Sequence, residues 1–197
     1  MSIPFETSTG RFLERLRDQL SPIDAWGSFR RGARSAAVVA VLYSRQGEWH
    51  LPFVRRRPDL PDHPGQVALP GGVVKSGEGA WEGAAREVFE EIGIESADLR
   101  PLGAGEPFYT AVSNFSVVPF VAWLPAAEPI LVHDTRELEG VLEIPLARLL
   151  REEEWLEATE PWRGRYFPWE QSMVWGLTAR ILADLLPRFR AALAPGA

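Results

Sequence analysis

The stretch from Gly79 to Ile92 constrains the fold most, because its pattern is that of a helix with two unlike faces. Its apolar residues recur every four positions, as one helix face requires: Ala80, Ala84, Val88 and Ile92. Such a face must pack against another element. Gly93 follows the last of these residues and suits a helix C-cap.

Short apolar runs on both sides of this helix predict β-strands. Residues 35–43 read as a buried strand, and the turn signal Arg45-Gln46-Gly47-Glu48 joins them to a second strand at 49–54, which makes a hairpin. Further strands are expected at 67–69, 99–103, 115–123 and 142–144, and a second hairpin at 155–156 and 165–167. Pro119 indicates an edge strand or a bulge.

Helical patterns are expected near both ends of the chain, at about 8–20 and about 173–189, with a short helix after Pro145. The mixed order of strands and helices predicts an α+β fold, an α/β/α sandwich with a mixed central sheet and a long C-terminal helix. The 197 residues fit a single domain spanning 1–197.

Composition narrows the classes of partner. The net charge of −6 disfavours a general nucleic-acid binder, since that affinity rests on Lys and Arg neutralising phosphates. No apolar run reaches the roughly 18 residues of a membrane helix, and the N-terminus does not resemble a signal peptide. The absence of cysteine excludes thiolate sites and fits a cytoplasmic location.

Three carboxylates are the strongest candidates for chemistry. Glu87, Glu90 and Glu91 are spaced i, i+3 and i+4, so they share a face beside the apolar one. Their mutual repulsion is relieved if a hard divalent cation binds among them, and Mg²⁺ prefers oxygen ligands and often binds substrate phosphates. The alternative is a solvated acidic helix face.

The neighbours of these glutamates favour the metal site. Arg86 adjoins them, and Glu78 lies where the helix dipole favours negative charge. Gly71 and Gly72 are expected in a loop before the helix, where backbone can approach a ligand closely.

Residues 72–94 resemble the complete Nudix box. Its seven fixed residues are all present, and aliphatic residues occupy its two variable apolar positions: Gly72, Glu78, Arg86, Glu87, Glu90, Glu91 and Gly93, with Val88 and Ile94. The flanking strands agree with the α/β/α sandwich of that family.

The resemblance implies a function and a role for each box residue. Nudix enzymes hydrolyse a diphosphate linkage with Mg²⁺, which Mn²⁺ can replace. Glu87, Glu90 and Glu91 would ligate the metal, and Arg86 would pair with a box carboxylate, Glu78 being the first choice. Gly72 would permit the tight turn before the helix. The general base differs between members, so it would be Glu91 or a carboxylate outside the box.

Two flanking segments resemble the coenzyme A diphosphatase branch of the family. Arg56, Leu60, Gly65, Pro70, Gly71 and Gly72 match the stretch before its box, and Val174 to Arg180 is similar to its Trp-Gly-Leu-Thr segment. This implies cleavage of coenzyme A to 4′-phosphopantetheine and adenosine 3′,5′-bisphosphate. Val54, Arg57, Pro61 and Leu69 depart from that branch. ADP-ribose, a dinucleoside polyphosphate or a nucleoside triphosphate is therefore an alternative substrate, and a non-catalytic nucleotide sensor is a further one.

Candidate substrate contacts lie outside the box. Arg56 and Arg57 are the candidates for binding phosphate, because a guanidinium binds it in bidentate fashion. The alternative is a solvated loop with ordinary surface arginines. Aromatic rings could stack on adenine or fill the core: Phe108, Tyr109, Trp162, Trp169 and Trp175. For Trp175, core packing or a homodimer contact is expected. Glu137 and Glu139 could add a carboxylate near the metal or lie on the surface.

Overall fold

The computed structural model describes residues 5–25, 32–126, 130, 134–159 and 164–194. Four α-helices occur there: α1 (Phe5–Asp18), α2 (Ala80–Ile92), α3 (Leu146–Leu149) and α4 (Gly176–Leu193), with a 3-10 turn at Glu152–Glu154. In the same ranges, no helix is both long and apolar enough to cross a membrane.

The main sheet is mixed, as predicted. Within the described ranges it has eight strands: β1 (Arg34–Arg45), β2 (Glu48–Arg56), β3 (Val67–Ala68), β4 (Gly71–Val73), β5 (Arg100–Ala104), β6 (Phe108–Thr110), β7 (Phe115–Leu124) and β8 (Leu138–Pro145). Strands β1 and β7 pair in parallel at its centre, and the other pairings are antiparallel. A smaller antiparallel sheet contains β9 (Leu156–Ala158), β10 (Gly164–Trp169) and β11 (Ser172–Val174).

Helices cover both faces of the main sheet, which confirms the predicted sandwich. On one face, the predicted apolar side of α2 is buried with Val39 and Phe120. On the other face, α1 and α4 bury Leu16 and Leu182 with Phe53. Burying a Leu or Phe side chain stabilises the fold by about 1.5–3 kcal/mol, so both cores hold the sheet between the helices.

The predicted hairpin forms because its turn residues adopt the backbone it needs. Gln46 and Gly47 have φ of 52° and 82°, as a type I′ turn requires, and the flanking Arg45 pairs with Glu48. The second predicted hairpin also forms, between β9 and β10.

The prediction of a loop at Gly71 and Gly72 is wrong. Both residues lie in β4, where they pair with Val38 and Ala37 of β1. The strand is only three residues long and depends on a partner more than thirty residues away in sequence, so no local pattern marks it.

Pro119 lies in the interior strand β7, not at an edge. Its carbonyl oxygen accepts from the Gly105 backbone N–H at 2.8 Å. Gly105 follows the end of β5 and precedes β6, so the proline, which has no N–H, falls where the neighbouring strands are interrupted.

The terminal helices exist as predicted but with shifted bounds. The C-terminal helix begins at Gly176 instead of 173, because residues 172–174 pair with β10 and Trp175 is extended. The N-terminal helix ends at Asp18, and two i→i+3 bonds follow it, from the N–H groups of Gln19 and Leu20.

Candidate active site

Helix α2 places the three glutamates of the candidate site on one side of the helix, with Glu90 the exposed one. The helix ends immediately after them, because Gly93 adopts φ of 73° and donates its N–H to the Phe89 carbonyl at 3.0 Å. The side chain of Glu87 is 21% exposed and that of Glu90 48% exposed. The carboxylates therefore range from partly buried to open to solvent.

The Arg86 guanidinium joins three of the carboxylates. Its Nε and Nη2 donate to the two oxygens of Glu78 at 2.8 and 3.2 Å. Its Nη1 donates to Glu87 at 2.6 Å and to Glu90 at 3.1 Å, and Nη2 also reaches the Val73 carbonyl at 3.1 Å. The single side chain thus fixes the loop before α2 to the helix, with the pairing to Glu78 that the sequence predicts.

These contacts shift the pKa of both partners in the expected directions. The hydrogen bond from Arg86, followed by the Lys75 backbone N–H, lowers the pKa of Glu78. The hydrogen bond to Glu78, above the contributions of Glu87 and Glu90, raises the pKa of Arg86. The pair is therefore fully charged at neutral pH.

Glu91 faces a different environment from its neighbours. Its Oε2 accepts the Gly71 backbone N–H at 2.9 Å. Desolvation by burial raises its pKa to about 8, with further upward contributions from the charges of Glu87 and Glu137. The Gly71 N–H and the Arg56 charge act in the opposite direction. Glu91 is the carboxylate whose charged form most needs a compensating cation.

Gly71 and Gly72 make close contacts beside the acidic cluster. A Cβ atom on Gly72 would lie 2.8 Å from the carboxyl carbon of Glu87. Gly71 has φ of 145°, and a Cβ there would lie 2.5 Å from the Val38 Cα. The two glycines thus let strand β4 run directly beside Glu87 and Glu91.

Comparison with known proteins agrees with the residue pattern. The NUDIX domain model matches residues 33–170. The chain is also similar to the protein named uncharacterized Nudix hydrolase NudL of Yersinia enterocolitica, with 34% identity over 94% of this chain and 97% of that protein. The chain belongs to the Nudix family. Membership of this family supports hydrolase activity on nucleoside diphosphate-linked substrates.

Solved Nudix structures share the fold. The C. elegans Ap4A hydrolase superposes with a TM-score of 0.54 at 19% identity, covering 82% of this chain and 99% of that one. The MutT protein of Methanosarcina mazei Go1 gives 0.52 at 21% identity, covering 83% and 96%. At such identities the likeness concerns the fold alone.

The donor chemistry of the Nudix box fits a hard divalent cation. Glu87, Glu90 and Glu91 offer carboxylate oxygens, and the raised pKa of Glu91 reflects a charge that a cation would stabilise. In the described part of the chain, no three His, Asp or Glu side chains converge as ligands of one ion. Arg86 Nη1 contacts Glu87 and Glu90, so a metal bound there would compete with the arginine.

The two candidate arginines at the end of β2 have different partners. Arg56 Nη1 donates to Glu137 at 3.1 Å, and its charge acts on Glu91. Arg57 is tied in bidentate fashion to Asp59, at 2.9 and 2.8 Å. Of the two arginines predicted to bind substrate, Arg56 is thus the one beside the box.

The aromatic candidates separate into core and cavity residues. Trp169 stacks on Phe167, and the centroid of the Phe108 ring lies 5.4 Å from the Arg180 guanidinium carbon. Trp162 lies outside the described residues. Trp175 is half-buried and lines a cavity, which differs from the expected helix-interior position.

Sequence reasoning did not single out three other residues that line this cavity. Gln171, Ser172 and Met173 come from the turn and strand before Trp175. Their position just ahead of the Trp-Gly-Leu-Thr segment was the one available signal.

Proposed function

We propose that this Nudix hydrolase cleaves coenzyme A and its thioesters with Mg²⁺, giving 4′-phosphopantetheine, or its acyl form, and adenosine 3′,5′-bisphosphate. One observation carries the choice of substrate. Thr178, in the Trp-Gly-Leu-Thr segment, donates from Oγ1 to the Val67 carbonyl at 3.2 Å, in the segment before the box. Both atoms are buried, and the residues are 111 positions apart.

This contact supports the proposal because it joins the two segments that resemble the coenzyme A branch. Segments that are distant in sequence but packed together can form one substrate surface. Strand β3, which contains Val67, leads within four residues to Gly71, whose N–H is bonded to Glu91. The joined segments therefore adjoin the Nudix box.

The proposed metal ligands are Glu87, Glu90 and Glu91. A bound Mg²⁺, or Mn²⁺ in its place, neutralises phosphate charge and lowers the pKa of a water that attacks phosphorus. Arg86 and Glu78 hold the strand and helix that present these ligands. The backbone of Gly71 and Gly72, which lies beside Glu91 and Glu87, is the proposed main-chain contact to the diphosphate.

The general base would accept the proton of the attacking water. Glu91 is one candidate, because its carboxylate is desolvated and held by the Gly71 N–H. Glu137 is the candidate outside the box, because its charge acts on Glu91 and its carboxylate is held by Arg56.

Arg56 is the proposed phosphate contact on the substrate side, and Arg57 a second one. Coenzyme A carries a 3′-phosphate in addition to its diphosphate, so an arginine beside the box suits it. We also propose that the chain acts as one domain in the cytoplasm, and that it can form a homodimer.

The experiment is a substrate panel with the purified protein and Mg²⁺. It contains coenzyme A, acetyl-coenzyme A, dephospho-coenzyme A, ADP-ribose, diadenosine polyphosphates and nucleoside triphosphates, with chromatographic product analysis. We expect preferential conversion of coenzyme A to adenosine 3′,5′-bisphosphate. A preference for ADP-ribose or another nucleotide would overturn the proposal of coenzyme A as the substrate. It would indicate that the departures at Val54, Arg57, Pro61 and Leu69 mark a change of substrate specificity. No turnover of any compound would favour a nucleotide sensor.

A further inference from the structure

A cavity of about 370 Å³ lies beside the segments joined by Thr178, outside the Nudix box. Its volume falls within the range of about 300–1,000 Å³ typical of small-molecule sites. The side chains that matter for recognition come from β2, β8 and the β11 region: Arg55, Glu139, Gln171, Ser172, Met173 and Trp175.

Arg55 does not make this cavity a simple anion site. Its Nη1 donates to the Ser172 hydroxyl at 3.2 Å, and its Nε lies 3.1 Å from a Glu139 oxygen. The guanidinium charge is thereby balanced by a carboxylate within the same wall. A ligand group in this cavity gains little from carrying a charge of its own.

The remaining walls suit a flat, uncharged ring with hydrogen-bonding edges. Trp175 supplies an aromatic face on which a ring can stack, and Met173 supplies a polarizable thioether. Gln171 offers both an amide donor and a carbonyl acceptor, and the Glu139 carboxylate can accept from an exocyclic amino group. This combination describes a nucleobase.

We propose that the cavity is the nucleobase subsite, and that Trp175 and Gln171 determine specificity for the nucleotide half of the substrate. The inference rests on the proposed function, in which one half of the cleaved diphosphate carries adenine. Adenine has an exocyclic amino group for Glu139 and ring nitrogens for Gln171.

Consecutive residues at the end of one strand contact the cavity and the proposed reaction centre. Arg55 lines the cavity, whereas the next residue, Arg56, bonds Glu137 and acts on the charge of Glu91. A substrate with its diphosphate at the box would pass the end of β2 to place its base against Trp175. This favours a substrate with an extended nucleotide arm.

The test is a binding titration of the metal-free protein with adenosine 5′-monophosphate and with ribose 5-phosphate, which has the same phosphate without a base. Stacking of a base on an aromatic ring strengthens binding, so we expect the nucleotide to bind the wild type at least roughly fivefold more tightly than ribose 5-phosphate. Trp175→Ala should remove that difference, and Trp175→Phe should keep most of it.

Two further variants keep the outcome interpretable. Gln171 is exposed, so Gln171→Ala leaves the core intact and should weaken nucleotide binding several-fold. Trp169→Ala is the matched control, since Trp169 is also half-buried and lies in the small sheet that precedes Trp175, but it does not line the cavity. It should bind the nucleotide as the wild type does, and a thermal melt checks the fold of each variant.

Nucleotide binding that is no tighter than that of ribose 5-phosphate, or that is unchanged by both Trp175→Ala and Gln171→Ala, would overturn the subsite. Because this binding needs no hydrolysis, the two proposals fail separately. If the wild type cleaves coenzyme A but binds the nucleotide no more tightly than ribose 5-phosphate, only the proposed subsite is overturned. If the wild type binds the nucleotide as expected but does not cleave coenzyme A, only the proposed substrate is overturned.

Discussion

Arg86 donates two hydrogen bonds to the Glu78 carboxylate, at 2.8 and 3.2 Å. Its remaining nitrogen, Nη1, donates to Glu87 and Glu90. One guanidinium thus fixes the approach to helix α2 and orders the acidic flank at the same time. A lysine ammonium has the charge but not the planar fork, so it cannot make both sets of contacts.

We therefore expect Arg86→Lys to lower kcat by about 10- to 100-fold, the usual effect of removing a group that orients metal ligands. Its melting temperature should also fall, since the loop before α2 loses its attachment. Steady-state kinetics with Mg²⁺ and a thermal melt measure the two effects. Arg100→Lys, whose guanidinium contacts only backbone carbonyls in the described structure, is the control. Equal kinetics for both variants would contradict this role of Arg86.

Replacing a proposed metal ligand by its uncharged amide should remove most of the hydrolase activity and keep the protein folded. Glu90→Gln and Glu91→Gln are each expected to reduce turnover by roughly 100-fold or more, and to weaken Mg²⁺ binding in a calorimetric titration. Glu82→Gln removes the same charge from an exposed position in the first turn of α2 and should retain activity. Near-wild-type turnover of both ligand variants would exclude the metal assignment.

The parts of the fold that were predictable rest on local chemistry. Helix α2 follows from its apolar spacing and from Gly93, and the first hairpin follows from Gln46-Gly47, which tolerates positive φ. The pairing of Arg86 with Glu78 followed from the box, and the structure shows it. In each case the decisive residues are close in sequence.

The parts that were missed depend on distant partners. Gly71 and Gly72 form a strand only because Ala37 and Val38 lie beside them, and residues 172–174 are extended because β10 pairs with them. Likewise, no pattern in three consecutive arginines shows that Arg55 lines a cavity while Arg57 bonds Asp59. Such assignments need the packed structure.

The raised pKa of Glu91 predicts how the metal-free protein responds to pH. Its ordinary value is 4.5, and burial raises it to about 8 in the folded state. The folded protein therefore holds a proton that the unfolded chain has released between these values. The stability contributed by Glu91 is present in full below pH 4.5 and is lost as pH rises through about 8.

Glu91→Gln, which mimics the neutral carboxyl, should remove that dependence. In EDTA the variant should melt close to the wild type near pH 5 and above it near pH 8.5, and Mg²⁺ should stabilise only the wild type at the higher pH. Paired melts across this range, taken as the difference between the two proteins, cancel the other titrating groups. A difference that does not change with pH would show that Glu91 ionises normally.

The two predicted substrate arginines should differ in effect. Arg56→Ala is expected to raise KM roughly tenfold, since a hydrogen bond to a charged group contributes about 1.5–3 kcal/mol. Arg57→Ala should raise KM less, because the Nε and Nη2 of Arg57 are already bonded to Asp59. Kinetics of the two variants on the same substrate decide between them, and a larger effect at Arg57 would reverse the assignment.

Gly71 should tolerate no side chain. Its φ of 145° is strained for other residues, and a Cβ would lie 2.3 Å from the Ala37 carbonyl oxygen and 2.5 Å from the Val38 Cα. Both neighbours are backbone atoms of the central strand β1, so they cannot yield as a flexible side chain would. Gly71→Ala is thus expected to reduce the free energy of unfolding by at least about 1–3 kcal/mol, and to displace the N–H that Glu91 accepts.

Gly10→Ala is the control, since Gly10 lies in α1 with nothing within 4 Å of an added Cβ. Gly10→Ala should increase the free energy of unfolding by up to roughly 1 kcal/mol, because alanine has a higher helix propensity than glycine. Urea unfolding of the two variants against the wild type measures both signs, and a stable Gly71→Ala protein would contradict the close approach of β4 to β1.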